Sequence, residues 1–207
     1  MTRVLLVDDH PIVRLGIRHI LTDRMAAVTI GEAADVSDGL QQIRRAAWDV
    51  VVLDITLSGE SGLDLLKQLR QERPTLPVLI LSIHPASQFA ARVLRAGAKA
   101  YVVKDAAPRD LVDAIEGVMR GQRFVSGEAD GGFGKGGART AHDALSDREY
   151  QVLRMLGSGR RVSEIGKELG LSVKTVSTYR TRVLEKLEMT TNAELMRYAI
   201  ENKLLDS

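Results

Sequence analysis

Two rhythms of apolar residues divide this chain. In residues 1–121, short runs of Val, Leu and Ile alternate with longer amphipathic stretches. The short runs lie at 3–7, 28–33, 49–53, 77–81 and 100–103. They are rich in Val, Leu and Ile, as strands covered on both faces should be. The stretches at 11–22, 37–46, 62–71, 86–96 and 108–120 are amphipathic instead. In 62–71, Leu63, Leu65, Leu66 and Leu69 recur at roughly helical spacing, with Lys67, Arg70 and Gln71 outside. Pro11 and Pro108 stand where a helix tolerates proline, in its first turn. Five consecutive strand–helix units predict a five-stranded parallel sheet with helices on both faces.

The pattern then breaks. Gly127, Gly131, Gly132, Gly134, Gly136 and Gly137 crowd together. Glycine at this density predicts a flexible linker, placed at 122–141. In 142–207 the spacing is helical only. Ser146 and Glu149 fit a capping box that opens a helix running to Leu156. Helices at 162–169, 173–187 and 192–204 follow, the first two of these joined by Gly170-Leu171-Ser172. A small four-helix domain is therefore expected. In 173–187, Val173, Val176, Val183, Leu184 and Leu187 form an inward stripe, opposite Lys174, Ser177, Thr178, Thr181 and Arg182. In the last helix, Leu195, Met196, Tyr198, Ala199, Ile200 and Leu204 suit either internal packing or a dimer contact.

Composition narrows the chemistry. The chain has no cysteine, which excludes disulfides and thiolate metal sites. Its four histidines show no zinc-ligand spacing. No apolar run reaches membrane-spanning length and none resembles a signal peptide, so a cytoplasmic protein with no membrane partner is expected. Residues 154–186 hold eight basic residues and three acidic ones, an excess that suits either a polyanion or a merely solvated face.

The strand ends are more specific. The first strand runs into Asp8-Asp9, the third into Asp54, the fourth into Ser82 and the fifth into Lys104. Singly, each has an ordinary explanation as a cap, a turn residue or a surface group. Together they lie where open α/β sheets gather functional groups, at the carboxyl ends of the strands. If the first and third strands are neighbours, three carboxylates converge and need a cation, and a hard oxygen site with room for water suits Mg²⁺. A carboxylate beside Mg²⁺ can attack a phosphoryl group, with Lys104 and the Ser82 hydroxyl gripping its oxygens.

These residues resemble a response-regulator receiver domain. The resemblance is carried by Val4-Leu5-Leu6-Val7-Asp8-Asp9-His10, Val51-Val52-Leu53-Asp54, Ser61-Gly62-Leu63, Leu81-Ser82 and the run from Ala96 through Lys104. It implies a flavodoxin-like α/β fold with Asp54 as phosphoacceptor. It also implies that Asp8, Asp9, Asp54 and the Thr56 carbonyl bind Mg²⁺, that Ser82 and Lys104 contact the phosphoryl group, and that Tyr101 is a switch aromatic. Two departures stand out: Leu57-Ser58-Gly59 where such domains often read Met-Pro-Gly, and Asp105 where many carry proline. Both bear on loop rigidity rather than on the chemistry.

Residues 144–204 are similar to a LuxR-type helix-turn-helix. The matching segments are Leu145-Ser146-Asp147-Arg148-Glu149, Glu164-Ile165-Gly166, Leu171-Ser172-Val173-Lys174-Thr175-Val176 and Glu185-Lys186-Leu187, with Gly166 in place of the usual alanine. This implies that Lys174, Tyr179, Arg180 and Arg182 contact the DNA backbone while Ser177, Thr178 and Thr181 face bases. Receiver, linker and helix-turn-helix together resemble the NarL/FixJ class of response regulators. That implies a transcriptional regulator rather than an enzyme. It implies phosphorylation by a sensor histidine kinase, homodimerisation when phosphorylated, and double-stranded promoter DNA as partner. Two other readings compete: a Mg²⁺-dependent phosphohydrolase, and a regulator whose receiver only dimerises.

Overall fold

The computed structural model describes residues 1–57, 62–127, 141–202 and 204–205, and its contacts divide the chain into Met1–Gly136 and Gly137–Ser207. In the first unit the strands are β1 (Thr2–Val7), β2 (Val28–Ala33), β3 (Val50–Asp54), β4 (Val78–Ser82), β5 (Ala100–Val103) and β6 (Phe124–Val125). The helices are α1 (Pro11–Arg24), α2 (Val36–Arg45), α3 (Gly62–Glu72), α4 (Ala86–Arg95) and α5 (Ala107–Met119). All strands are parallel, in the order β2-β1-β3-β4-β5-β6.

Among the described residues the sheet has six strands, not five. Phe124–Val125 pairs in parallel with β5, inside the stretch expected to be linker. Two residues are too few to show a period in the sequence, and the glycines that follow mask them. Tertiary pairing holds them instead: the Ser126 N–H donates to the Tyr101 carbonyl at 2.9 Å, and the Ser126 hydroxyl accepts from the Val103 N–H at 3.3 Å. Residues 128–140 of the expected linker lie outside the described residues, as do Ser58 and Gly59 of the atypical loop after Asp54.

The apolar runs are apolar because both faces are covered. Every residue of β3 and β4 is buried. Val4, Leu6, Val50, Val52, Leu79 and Leu81 join Ile17 and Leu21 of α1 and Leu111 and Ile115 of α5 in one core. Both β3 and β4 end one residue later than the apolar pattern suggests. Backbone pairing continues through Asp54↔Leu81 and Ser82↔Val103, although the side chains have turned polar.

The second unit contains α6 (Asp147–Gly157), α7 (Val162–Leu169), α8 (Val173–Lys186) and α9 (Asn192–Glu201). The capping box forms: the Glu149 N–H donates to Ser146 Oγ and the Ser146 N–H to Glu149 Oε2. Gly170 takes φ 65°, the left-handed turn that separates α7 from α8. Val176, Val183, Leu184 and Leu187 are buried, but Val173 is 55 % exposed at the helix's first position, so the inward stripe starts one turn later than expected. The last helix is also shorter than expected. Beyond Glu201 the chain turns back, Leu204 is buried, and its carbonyl accepts from Arg154 Nε at 2.6 Å. Leu195 and Ala199 face the core, whereas Met196 and Ile200 are exposed.

One ion pair ties α6 to α8. Lys186 Nζ lies 2.7 Å from Glu149 Oε2, on the same carboxylate that closes the capping box. Burial pushes the Glu149 carboxyl upward, but Lys186 and the Ser146 N–H outweigh it and hold it below its ordinary value. Its stabilising contribution is present above the ordinary carboxylate range and is lost as pH falls through that lowered value. Lys186→Met leaves this buried carboxylate without its cation. A loss of about 1–2 kcal/mol is expected, kept modest because Lys186 is 41 % exposed. Urea unfolding followed by helical circular dichroism measures it, and an unchanged midpoint would remove the pair from the account.

Candidate functional site

Sheet register builds the first site. Val7 pairs with Leu53, so the next residues, Asp8 and Asp54, leave adjacent strands at one level. Ser82 pairs with Val103, which sets Lys104 at the neighbouring strand end. All four residues therefore stand at one edge of the sheet, over separations that no local pattern encodes.

The charges interlock. Lys104 Nζ lies 2.8 Å from Asp8 Oδ2 and 2.7 Å from Asp54 Oδ2. The second Asp54 oxygen accepts from the Thr56 N–H at 2.9 Å. Asp8 and Asp54 are each 2 % exposed. Burial pushes the Asp54 carboxyl up to about 6; Lys104 and the Thr56 N–H oppose the shift, and Asp8 adds to it. Burial pulls Lys104 down, but the two carboxylates outweigh it and hold the ammonium above its ordinary value. Asp54 thus sits well above the ordinary carboxylate range while remaining largely ionised at neutral pH.

Ligand atoms of Asp8, Asp9, His10 and Asp54 lie within 4.8 Å of one another. Among the described residues, the ammonium that pairs with Asp8 and Asp54 is Lys104. Carboxylate oxygens gathered this way fit a divalent cation held by hard oxygen donors. Ser82 is fully buried, and its hydroxyl accepts from the His84 N–H at 3.1 Å. Tyr101 is fully buried as well, and its hydroxyl donates to the His84 carbonyl at 2.8 Å. One peptide segment at residue 84 therefore touches both Ser82 and Tyr101. The structure locates Thr56 by its N–H, which faces Asp54.

Sequence reasoning passed over three residues here. His10 Nδ1 lies 2.7 Å from Asp9 Oδ1 and 3.3 Å from Asp8 Oδ1. Arg14 Nη1 donates to the Asp8 carbonyl at 2.5 Å. His84 stacks on Phe89, with ring centroids 4.5 Å apart. His10 had a signal, its place directly after the paired aspartates; Arg14 and His84 had none. Neither Asp8 nor Asp9 is the N-cap of α1, which starts from His10, although Asp8 Oδ1 accepts from the His10 N–H at 2.8 Å.

The second site is the outer face of α8. Lys174, Ser177, Thr178, Thr181 and Arg182 are exposed there, and Tyr179 and Arg180 are half-exposed. Arg180 Nε donates to Asn192 Oδ1 at 2.5 Å, which braces it against the start of α9. Several cations of the basic stretch are already used internally. Arg154 binds the Leu204 carbonyl, Arg160 pairs with Glu168, and Lys186 pairs with Glu149. On α8, Lys174 and Arg182 are exposed on this outer face, and Arg180 keeps its charge beside the neutral Asn192 amide.

Comparison with known proteins agrees with both halves. Residues 4–116 match the response regulator receiver domain family, and residues 143–199 match the LuxR family of bacterial regulatory proteins. This chain belongs to the response regulators of the NarL/FixJ class. Response regulator UvrY of Escherichia coli K12 is 35 % identical across 100 % of this chain and 97 % of its own length. Response regulator GacA of Pseudomonas aeruginosa is 34 % identical across 100 % and 99 %. A solved structure of two RcsB dimers bound to two parallel DNAs matches with a TM-score of 0.59 and 28 % identity, over 95 % of this chain and 97 % of that one. The response regulator thus pairs a receiver with a LuxR-type DNA-binding domain, the make-up of a transcriptional regulator. Among its described residues, no helix is long and apolar enough to cross a membrane.

Proposed function

We propose that Asp54 is the phosphoacceptor of this response regulator and that a sensor histidine kinase supplies the phosphoryl group. The observation that carries this is the convergence of Asp8, Asp54 and Lys104 at 2.7–2.8 Å on the carboxyl edge of the sheet. An Asp54 oxygen attacks phosphorus, the bond to the donor imidazole breaks, and the imidazole keeps the electron pair. Lys104 follows the new charge from the carboxylates to a phosphoryl oxygen, and the Ser82 hydroxyl donates to another. Asp8, Asp9, Asp54 and the Thr56 carbonyl would hold Mg²⁺, which supplies charge neutralisation when bound.

Movement of Ser82 and Lys104 draws on the segment at His84 and Tyr101, and so alters the surface formed by α4 and α5. We assign that change to homodimerisation and to binding of double-stranded promoter DNA by α8. The RcsB dimers on DNA support this assignment. Lys174, Tyr179, Arg180 and Arg182 serve as phosphate contacts, and Ser177, Thr178 and Thr181 face base edges. The receiver extends through β6, residues 128–140 connect it to the DNA-binding domain, and the protein works in the cytoplasm as a stoichiometric switch without turnover.

The test uses the full chain with and without acetyl phosphate and Mg²⁺. Mass spectrometry should show one added phosphoryl group, light scattering a rise toward dimer, and fluorescence anisotropy tighter duplex binding. If oligomer and affinity do not change on phosphorylation, the switch is refuted. Continuous release of phosphate would point to the phosphohydrolase instead.

A further inference from the structure

The two threonines on the outer face of α8 have already spent their hydroxyl protons. Thr178 Oγ1 donates to the Lys174 carbonyl at 3.0 Å, and Thr181 Oγ1 donates to the Ser177 carbonyl at 3.1 Å. Each is a bond back to the residue four positions earlier on the same helix. A threonine hydroxyl has one proton, so oxygens used in this way can still accept but cannot donate. The other branch on each Cβ is a methyl, and both residues are exposed. The middle of this face therefore offers methyl groups. It carries no Asn or Gln, and its cations, Lys174 and Arg182, stand toward its two ends.

We propose that α8 selects thymine through methyl–methyl contact in the major groove, with Thr178 and Thr181 as the specificity-determining residues. The proposal rests on the reading above that this face of α8 enters DNA. In the major groove, guanine offers only acceptors, which a hydroxyl without a free proton cannot satisfy. Thymine alone offers a methyl at C5, and apolar contact with threonine methyls is an established mode of reading it. The amino groups of adenine and cytosine can still be accepted by the threonine oxygens. The face is thus biased toward A·T pairs and against guanine at the contacted positions.

Duplexes recovered by the full-length protein from a random library, with acetyl phosphate and Mg²⁺ present, provide the probe. They are resynthesised with deoxyuridine for thymidine, which removes only the C5 methyl. Affinity for the wild-type protein should fall about fourfold per contacted methyl. Because that comparison uses one protein, folding is not at issue. Thr178→Ser and Thr181→Ser keep the back-bonded hydroxyl and lose the methyl, so the thymine-to-uracil ratio should approach one. Thr178→Val and Thr181→Val keep the methyl and lose the hydroxyl, so the ratio should persist. Equal wild-type affinity for both duplexes overturns the proposal, as does discrimination kept by the serine variants and lost by the valine variants. Recovery of no duplex at all overturns the DNA-binding reading, and this proposal with it.

Discussion

An Asp54→Asn variant is expected to take up no phosphoryl group from acetyl phosphate and Mg²⁺, where the wild-type chain takes up one. The substitution keeps the side chain's shape and leaves an oxygen for the Thr56 N–H, while Lys104 retains Asp8. It removes the proposed nucleophile together with its charge, and so the ion pair with Lys104. Intact mass spectrometry reads the result, and full modification of the variant would move the acceptor to another carboxylate. The same variant tests the electrostatics. Wild-type Asp54 holds its proton up to about pH 6 in the folded chain because it is buried. The unfolded chain releases that proton in the ordinary carboxylate range. The associated stability is therefore fully present at low pH and is lost as pH rises through about 6. In metal-free buffer the difference in stability between wild type and variant should change by about 2–3 kcal/mol between acid and neutral pH. The variant should gain relative to wild type as pH rises. Parallel stability curves would show that burial does not set the Asp54 titration.

Gly62→Ala should unfold the receiver more readily than any conservative surface change. A Cβ at Gly62 would lie 2.3 Å from the Asp54 carbonyl oxygen and 2.8 Å from Ile55 Cα. Both neighbours are backbone, and the Gly62 N–H itself donates to the Ile55 carbonyl at 3.1 Å. Alanine is the better helix former by about 1 kcal/mol, but that gain is small against a clash that must displace the segment carrying Asp54. A net loss of about 3–4 kcal/mol is expected. The chain has a single tryptophan, and Trp48 lies in the receiver, so its fluorescence in a urea titration follows this unit specifically. A midpoint within error of wild type would mean that α3 starts with room to spare. The variant should also accept phosphoryl slowly, because the displaced backbone is that of the acceptor.

Much of the architecture was legible because the signals are local. Buried strands need unbroken apolar runs, and 4–7, 50–53 and 77–81 supply them. Ser146 and Glu149 are three residues apart, so their capping box could be read without any tertiary knowledge. The strand-end residues Asp8, Asp54, Ser82 and Lys104 could be listed for the same reason. β6 could not be read, because two residues have no period and owe their place to pairing with β5. Val173 fits the apolar stripe by spacing but stands exposed, since spacing reveals a face and not what covers it. The basic excess in 154–186 was visible as a sum, yet Arg154, Arg160 and Lys186 prove to be bound within the fold.

By itself the sequence determined the order of the first five strands and their helices, the helical make-up of the second part, and the identity of the groups at the ends of β1, β3, β4 and β5. All of these follow from periodicity and residue type along the chain. Only the tertiary structure decided that Lys104 reaches Asp8 and Asp54 across sequence separations of 96 and 50 residues. It also decided that burial raises the Asp54 carboxyl, and that the Thr178 and Thr181 hydroxyls turn inward to their own helix. The physical reason is the same in each case. Distance, desolvation and the direction of a hydroxyl proton depend on strand register and packing, which no run of neighbouring residues encodes.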